Sequence, residues 1–332
     1  MSIEKTRQRN YALDFAKGIA CILVVFMHCE FPWVFGILIQ SVSRFCVPFF
    51  FMVSGYFCYD PNKPTDYGRK IKHIAITTLL LTALYFILTP IYSTSKFEIT
   101  LPRVVDWVVF NRPFYIASQL WFLYALLYDY IIFALVEKFG LRRIAYFAMF
   151  ALAGAYILLA QGAHIAHISV DKLYYRNFLV LGFPFFTFGF YLHEKQDGIN
   201  ISNTALIAAL IISTVLCPVE RLVLGRDFGV NIVSFVQVAA LFVLCIKNPS
   251  FGNDKNHIYI YKLGKDYSML VYFFHPAIWH LLDKLYKAIG IYGKTAFMYV
   301  RPVILVFVTI LAAIVYLAVK NLIFNKNKAR NA

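Results

Sequence analysis

Runs of about twenty apolar residues recur along the whole chain, and they decide what it can fold into. A helix needs about 20 mostly apolar residues to cross the hydrocarbon core of a membrane. Inside lipid every backbone N–H and C=O must be satisfied within that helix. Ten such runs are predicted: Leu13–Phe31, Phe35–Phe57, Ile71–Tyr92, Ser118–Val136, Ile144–Gln161, Asn177–His193, Thr204–Pro218, Val230–Ile246, Asp266–Leu282 and Val303–Ile323. The longest connection, Ser93 to Ala117, is read as a modest loop. The predicted fold class is all-α: a polytopic integral membrane protein of about ten transmembrane helices. Residues 1–332 are expected to form one transmembrane domain, with no separate soluble domain.

Composition points the same way. Apolar residues make up 61% and charged residues 15%, against roughly 45–50% and about 25% in soluble domains. Too few polar side chains exist to cover a water-facing globule. The net charge of +15 would suit nucleic acid on a soluble face, but here the cations sit between apolar runs, so no nucleic-acid partner is expected. Membrane lipid is. An even number of spans puts both termini on one side. Nineteen of the 32 basic residues fall on that side and eleven on the other, leaving Lys17 and Arg44 inside spans. The positive-inside rule then makes both termini cytoplasmic. The first run carries Asp14 and Lys17 and lacks a small-residue cleavage site, so it is read as a retained span. Cys21, Cys29, Cys46, Cys58, Cys217 and Cys245 form no CxxC pair and are read as buried hydrophobes. No metal is expected.

A charge near the bilayer centre costs about 2.5–3.5 kcal/mol on insertion scales, so ionisable residues within spans point to function. Asp14 and Lys17 are three apart, share a helix face and are expected to neutralise each other. His28 follows Lys17 by eleven residues, on nearly the same face and about 16 Å further along. That separation matches a long ligand with phosphates at one end and a thioester at the other, the form of coenzyme A. The competing reading has Lys17 reaching the interface, Asp14 serving only as its partner, and His28 packed as a core histidine. Arg44 lies well inside the second run and is expected to face a polar cavity or a partner such as Asp14 or Glu30. Pro48 removes one backbone hydrogen bond and predicts a kink; Ser54 and Gly55 predict close helix packing. His275 lies near the middle of the ninth run, with Tyr272 one turn earlier and Pro276 directly after. Two deep histidines on spans of like direction can converge on one cavity. Trp121 and Tyr124 suit an interfacial aromatic belt, and His164 and His167 a solvated outer end. His280 and Asp283 are placed at the outer interface without chemistry.

Four strings resemble the acyltransferase 3 family of integral membrane acyltransferases: LDFAKGIACILVVFMH, SRFCVPFFFMVSGYF, QLWFLYALL and SMLVYFFHPAI. They occur in the family's order and cover essentially the whole chain. The resemblance implies about ten spans with cytoplasmic termini, residence in the cell inner membrane, and O-acylation by acetyl-CoA of a sugar beyond it. The acceptor would be O-antigen, common antigen, capsule or exopolysaccharide. It matches the family's basic residue and distant histidine to Lys17 and His28. It matches the paired basic residues at the start of the third span to Arg69, Lys70 and Lys72, where Lys72 stands in place of an arginine. Lys17, Arg69, Lys70 and Lys72 are thus expected to bind the donor's phosphates. His28 is expected to act as general base, because neutral imidazole, with an ordinary pKa of about 6.5, accepts a proton from an attacking hydroxyl. His275 and Tyr272 would orient or polarise, and Arg44 would stabilise an oxyanion or hold an anionic acceptor. An exporter using the same buried Arg, Asp and His for proton relay is the alternative, although the chain halves show no inverted repeat.

Overall fold

The computed structural model describes residues 9–92, 100–113 and 115–330. Among them every regular element is helical. Lys5, Arg7, and residues 93–99 (with Lys96) and 114 of the loop that starts at Ser93 lie outside the described residues. Helix α1 (Tyr11–His28) starts at Asn10, whose side chain accepts from the Leu13 N–H at 2.9 Å. It stops at His28, three residues short of the predicted end. Pro32 accounts for this, because it disfavours helical geometry at Phe31. His28 therefore closes the helix, rather than sitting deep within it.

The second run is two helices, α2 (Trp33–Val42) and α3 (Cys46–Tyr56), around a tight turn at Ser43–Phe45. The predicted kink falls before Pro48, not at it. Pro48 occupies the first turn of α3, where a missing N–H costs nothing. Upstream, the Ser41 and Ser43 hydroxyls bond back to the Ile37 and Ile39 carbonyls at 2.7 and 2.6 Å, competing with the helix ladder. Next come α4 (Tyr67–Tyr92) and α5 (Leu101–Phe110). Helix α5 lies in the stretch read as plain loop: Thr100 is extended before it and Pro102 sits in its first turn, a favoured start signal. Helix α6 (Trp121–Lys138) follows. Helix α7 (Arg142–Ile157) passes through a wide i→i+5 turn, Leu158–Gly162, into the short α8 (Ala163–Ile165). A second wide turn, Phe178–Gly182, opens α9 (Phe183–Lys195). Then come α10 (Asn203–Leu224), α11 (Ile232–Lys247) and α12 (Ile258–Lys262). A third wide turn, Leu263–Tyr267, leads into α13 (Ser268–Ala288), and α14 (Thr295–Arg330) ends the described chain.

Seven stretches among the described residues are long and apolar enough to cross a membrane: Tyr11–His28, Trp33–Tyr56, Tyr67–Pro90, Ser118–Lys138, Arg142–Ile165, Asn203–Leu224 and Thr295–Ile323. The three other predicted runs are helical as well. They contribute α9 with its wide turn, the 16-residue α11, and α13.

The chain forms two compact units, one holding the residues up to Ser43 and from Cys245 onward, the other Arg44–Leu244. In the first, α1 crosses α12 and the turn after it with backbone against backbone. A Cβ at Gly18 would overlap the Ile260 carbonyl, and one at Gly264 would overlap the Asp14 carbonyl. Beyond that crossing, Cys21 and Val25 of α1 pack with Val271 of α13 and with Leu305, Val306 and Ala313 of α14. In the second unit, α3 meets α9 the same way: Gly55 faces the Phe186 carbonyl and Gly189 the Met52 carbonyl. Phe133 of α6 fills that core against Phe186 and Phe190, with ring centroids 5.0 and 4.9 Å away. All six cysteines are buried and unbridged.

Candidate active site

Asp14, in the first turn of α1, gathers two cations. Lys17 Nζ lies 2.6 Å from its Oδ1, while Arg9 donates from Nε and Nη2 to Oδ2 at 2.9 and 2.7 Å. Two cations on one carboxylate leave a net positive charge, at a helix N-terminus that is itself electropositive. Arg9 also stands over the Tyr261 ring, 5.4 Å from its centroid, and Lys265 over the same ring at 5.9 Å. Arg9, Tyr261 and Lys265 carry no individual sequence signal. Only Asn10 as a helix cap, with Asp14 following, hints that Arg9 turns back onto the helix.

At the other end of α1, the His28 and His275 rings approach to 4.9 Å between centroids, tilted by 47°. The register follows from the glycine crossing. Gly18 and Gly264 bring two helices of like direction into contact, and His28 and His275 stand ten and eleven residues further on. At 1.5 Å per residue both are about 15–16 Å beyond the crossing. His275 is fully buried. Its Nδ1 lies 3.0 Å from the Val271 carbonyl, so a neutral ring carries its proton on Nδ1 and presents a lone pair on Nε2. That Nε2 is buried without a hydrogen-bond partner among the described residues. The Tyr272 ring centroid is 6.2 Å from that of His275. Pro276 sits inside α13 and cannot donate to the Tyr272 carbonyl.

Asp283 is half-buried beside Arg301, with Oδ1 to Nη1 at 3.7 Å and side chains 15% and 17% exposed. The Arg301 guanidinium also reaches the Cys29 thiol. A charged pair therefore stands one residue from His28. Nothing local in the sequence links positions 283 and 301 to position 29.

The remaining predicted residues belong to the second unit. Arg44 pairs with Asp227, in the connection between α10 and α11, and not with Asp14 or Glu30. Asp14 is already engaged, and 183 residues separate Arg44 from its partner. Burial alone would raise the Asp227 carboxyl, but the Arg44 guanidinium and the Gly229 N–H (2.9 Å) outweigh it and hold the carboxyl below its ordinary value. Arg69, in the first turn of α4, lies 3.4 Å from Asp66 and is 87% exposed. Lys70 stands over the Tyr130 ring at 5.6 Å, and Lys72 is exposed. Trp121 is buried rather than part of a belt, and Tyr124 is bonded to the Thr82 hydroxyl. His164 Nε2 lies 3.0 Å from the Leu224 carbonyl.

The family model described as an acyltransferase domain, acyltransferase 3, matches residues 10–319. Among curated proteins, a serine/alanine racemase of Enterococcus gallinarum is 28% identical over 133 residues, 36% of this chain. That match spans 18% of the racemase's own length. No solved structure matches.

Proposed function

Because the chain belongs to the acyltransferase 3 family, whose members are membrane acyltransferases, we propose that it moves an acetyl group from cytoplasmic acetyl-CoA to a hydroxyl of a cell-surface glycan. In this reading the chain crosses the inner membrane ten times with both termini in the cytoplasm. The observation that carries it is the His28–His275 pair, standing one helix length from the cations gathered on Asp14. Arg9 and Lys17 hold the donor's phosphates at the cytoplasmic end of α1, and Arg69, Lys70 and Lys72 attract them from the same side. The residues fit such a donor: a net cation at a helix N-terminus, and about 16 Å of helix between Lys17 and the histidines.

His28 takes the proton from the attacking hydroxyl as the new C–O bond forms and the thioester C–S bond breaks. The proton then passes to the departing thiolate. His275, holding its own proton on Nδ1 toward Val271, keeps Nε2 available as an acceptor beside the His28 ring, with Tyr272 next to it. Arg44, paired with Asp227, serves an anionic group of the acceptor or a developing oxyanion. The acetyl group crosses while the nucleotide stays in the cytoplasm.

The test is CoA release from acetyl-CoA by purified protein, wild type against His28→Ala. The expected loss is about 10²–10⁴-fold. Retained release removes His28 as the base. Sealed vesicles with donor only inside and glycan only outside then test access. An exporter predicts glycan movement with no CoA release.

A further inference from the structure

The second unit holds a cavity of about 550 Å³ that no part of the transfer chemistry uses. Two connections build it: α5 with the residues leading to α6, and residues 171–176 ahead of α9. They meet through the Phe110 and Tyr174 rings, 5.6 Å apart and edge to face. Asn111 fixes the junction. It is fully buried and left-handed, at φ 50°. It donates to the Trp121 carbonyl at 3.2 Å and accepts from the Phe178 N–H at 2.9 Å. Among the described residues, Arg103, Arg112, Lys172 and Arg176 line this cavity together with two carboxylates. Of those, Asp106 accepts from Arg112 at 3.4 Å, and Asp171 caps the Leu173 N–H at 2.8 Å. The Arg176 guanidinium stands over the Trp121 ring, 4.7 Å from its centroid.

Chain connectivity fixes which end this is. Helix α4 begins at Arg69 and Lys70 and runs toward the cavity; α6 runs from the cavity to Lys138; α7 begins at Arg142 and returns toward it; α9 leaves it again. The cavity therefore stands at the end of this unit opposite Arg69, Lys70 and Lys72. Its volume falls within the usual range for small-molecule sites, about 300–1,000 Å³. Cations in excess, set beside Phe110, Pro113 and Leu173, suit a ligand with oxyanions on an apolar-faced ring. We propose that this cavity binds an acidic sugar unit of the acceptor, one bearing a carboxylate or a phosphate, at the end of this unit opposite Arg69, Lys70 and Lys72. The proposal rests on the glycan-acceptor reading above and names the acceptor's class.

The probe is a fluorescent trigalacturonate, titrated onto the full chain in nanodiscs of zwitterionic lipid without acetyl-CoA, with labelled maltotriose as the neutral counterpart. Wild type should bind the acidic probe more tightly than the neutral one, and less tightly as salt rises. Arg112→Gln with Lys172→Gln should weaken it at least about tenfold and leave maltotriose unchanged. Lys172→Glu, at an exposed side chain, should do the same if the double variant fails to fold. Equal affinity for both probes, or no change in any folded variant, overturns the proposal. So does complete displacement by phosphatidylglycerol in the nanodisc, which would assign the cavity to a lipid headgroup. Because binding is read without donor, loss of acetyl transfer alone would remove the transfer reading and leave the cavity assignment standing.

Discussion

Gly264→Ala tests the link between packing and chemistry most directly. A Cβ there would overlap the Asp14 carbonyl and stand 2.5 Å from the Gly18 nitrogen, where ordinary contact begins at 3.4 Å. The Asp14 carbonyl is closer still, so the two segments must part by well over 0.9 Å at the crossing. Only backbone opposes the new methyl, so no side chain can swing away. Forcing a methyl into a filled contact costs about 1–3 kcal/mol, a fall of several degrees in unfolding temperature. The effect on rate should be larger. The crossing sets the register in which His28 and His275 meet, and a misplacement of about 1 Å costs on the order of 10²-fold. We expect CoA release to fall about 100-fold while the protein remains folded and membrane-inserted. Gly154→Ala in α7 is the control. Its added Cβ meets nothing within 4 Å, and alanine is the better helix former by about 0.5–1 kcal/mol. Wild-type turnover and unfolding temperature in Gly264→Ala would refute both the backbone contact and its role in aligning the histidines.

Other expectations follow from the second unit. Asp227→Asn leaves Arg44 without its anion and should cost about 3 kcal/mol, the low end for buried pairs, because the two side chains are 16% and 26% exposed. Replacing both partners with apolar residues should recover much of that loss in a double-mutant cycle of unfolding. The same carboxyl has a folded pKa below its ordinary 3.8. Its stabilising contribution is thus complete above the unfolded pKa and lost as pH falls through the folded one. Wild type should show an acid destabilisation below about pH 4 that Asp227→Asn lacks, read as unfolding temperature against pH. Asn111→Ala strands the Trp121 carbonyl and the Phe178 N–H and should cost about 1–3 kcal/mol for each. Asn111→Gly should relieve the φ 50° backbone but recover neither bond, so it too should unfold at a lower temperature than wild type.

What the sequence makes legible here is local or periodic. Apolar runs locate the helices, and a three-residue spacing anticipates that Asp14 and Lys17 meet. Two histidines at like depth on spans of like direction anticipate the pair at 4.9 Å. The rest depends on distant partners. Nothing near Arg44 announces Asp227, and nothing near Cys29 announces Arg301. Gly18 and Gly264 each look like any small residue in an apolar stretch until the opposing carbonyl is known. The end of α1 at His28 and the helix at Leu101–Phe110 do carry local signals, in Pro32 and in Thr100 with Pro102. The first is masked by an apolar run that continues to Phe31, and the second by the shortness of a ten-residue helix between two longer ones.

The wide turn at Leu263–Tyr267 has a consequence for how this chain tolerates insertion and deletion. A wide turn accommodates one residue more than an α-helical turn, and each helical residue rotates the chain by about 100°. Removing one residue between Leu263 and Tyr267 would close the wide turn into an ordinary helical one, and the face of α13 that carries His275 would stay against α1. Adding one residue to the same five finds no such slack. It would swing the face that follows by about 100° and push it about 1.5 Å along, carrying His275 away from α1. Loss of a residue there should therefore be tolerated, while gain of one, in a stretch with no reactive group of its own, should silence the protein as thoroughly as removing the histidine. The turn is slack in one direction only.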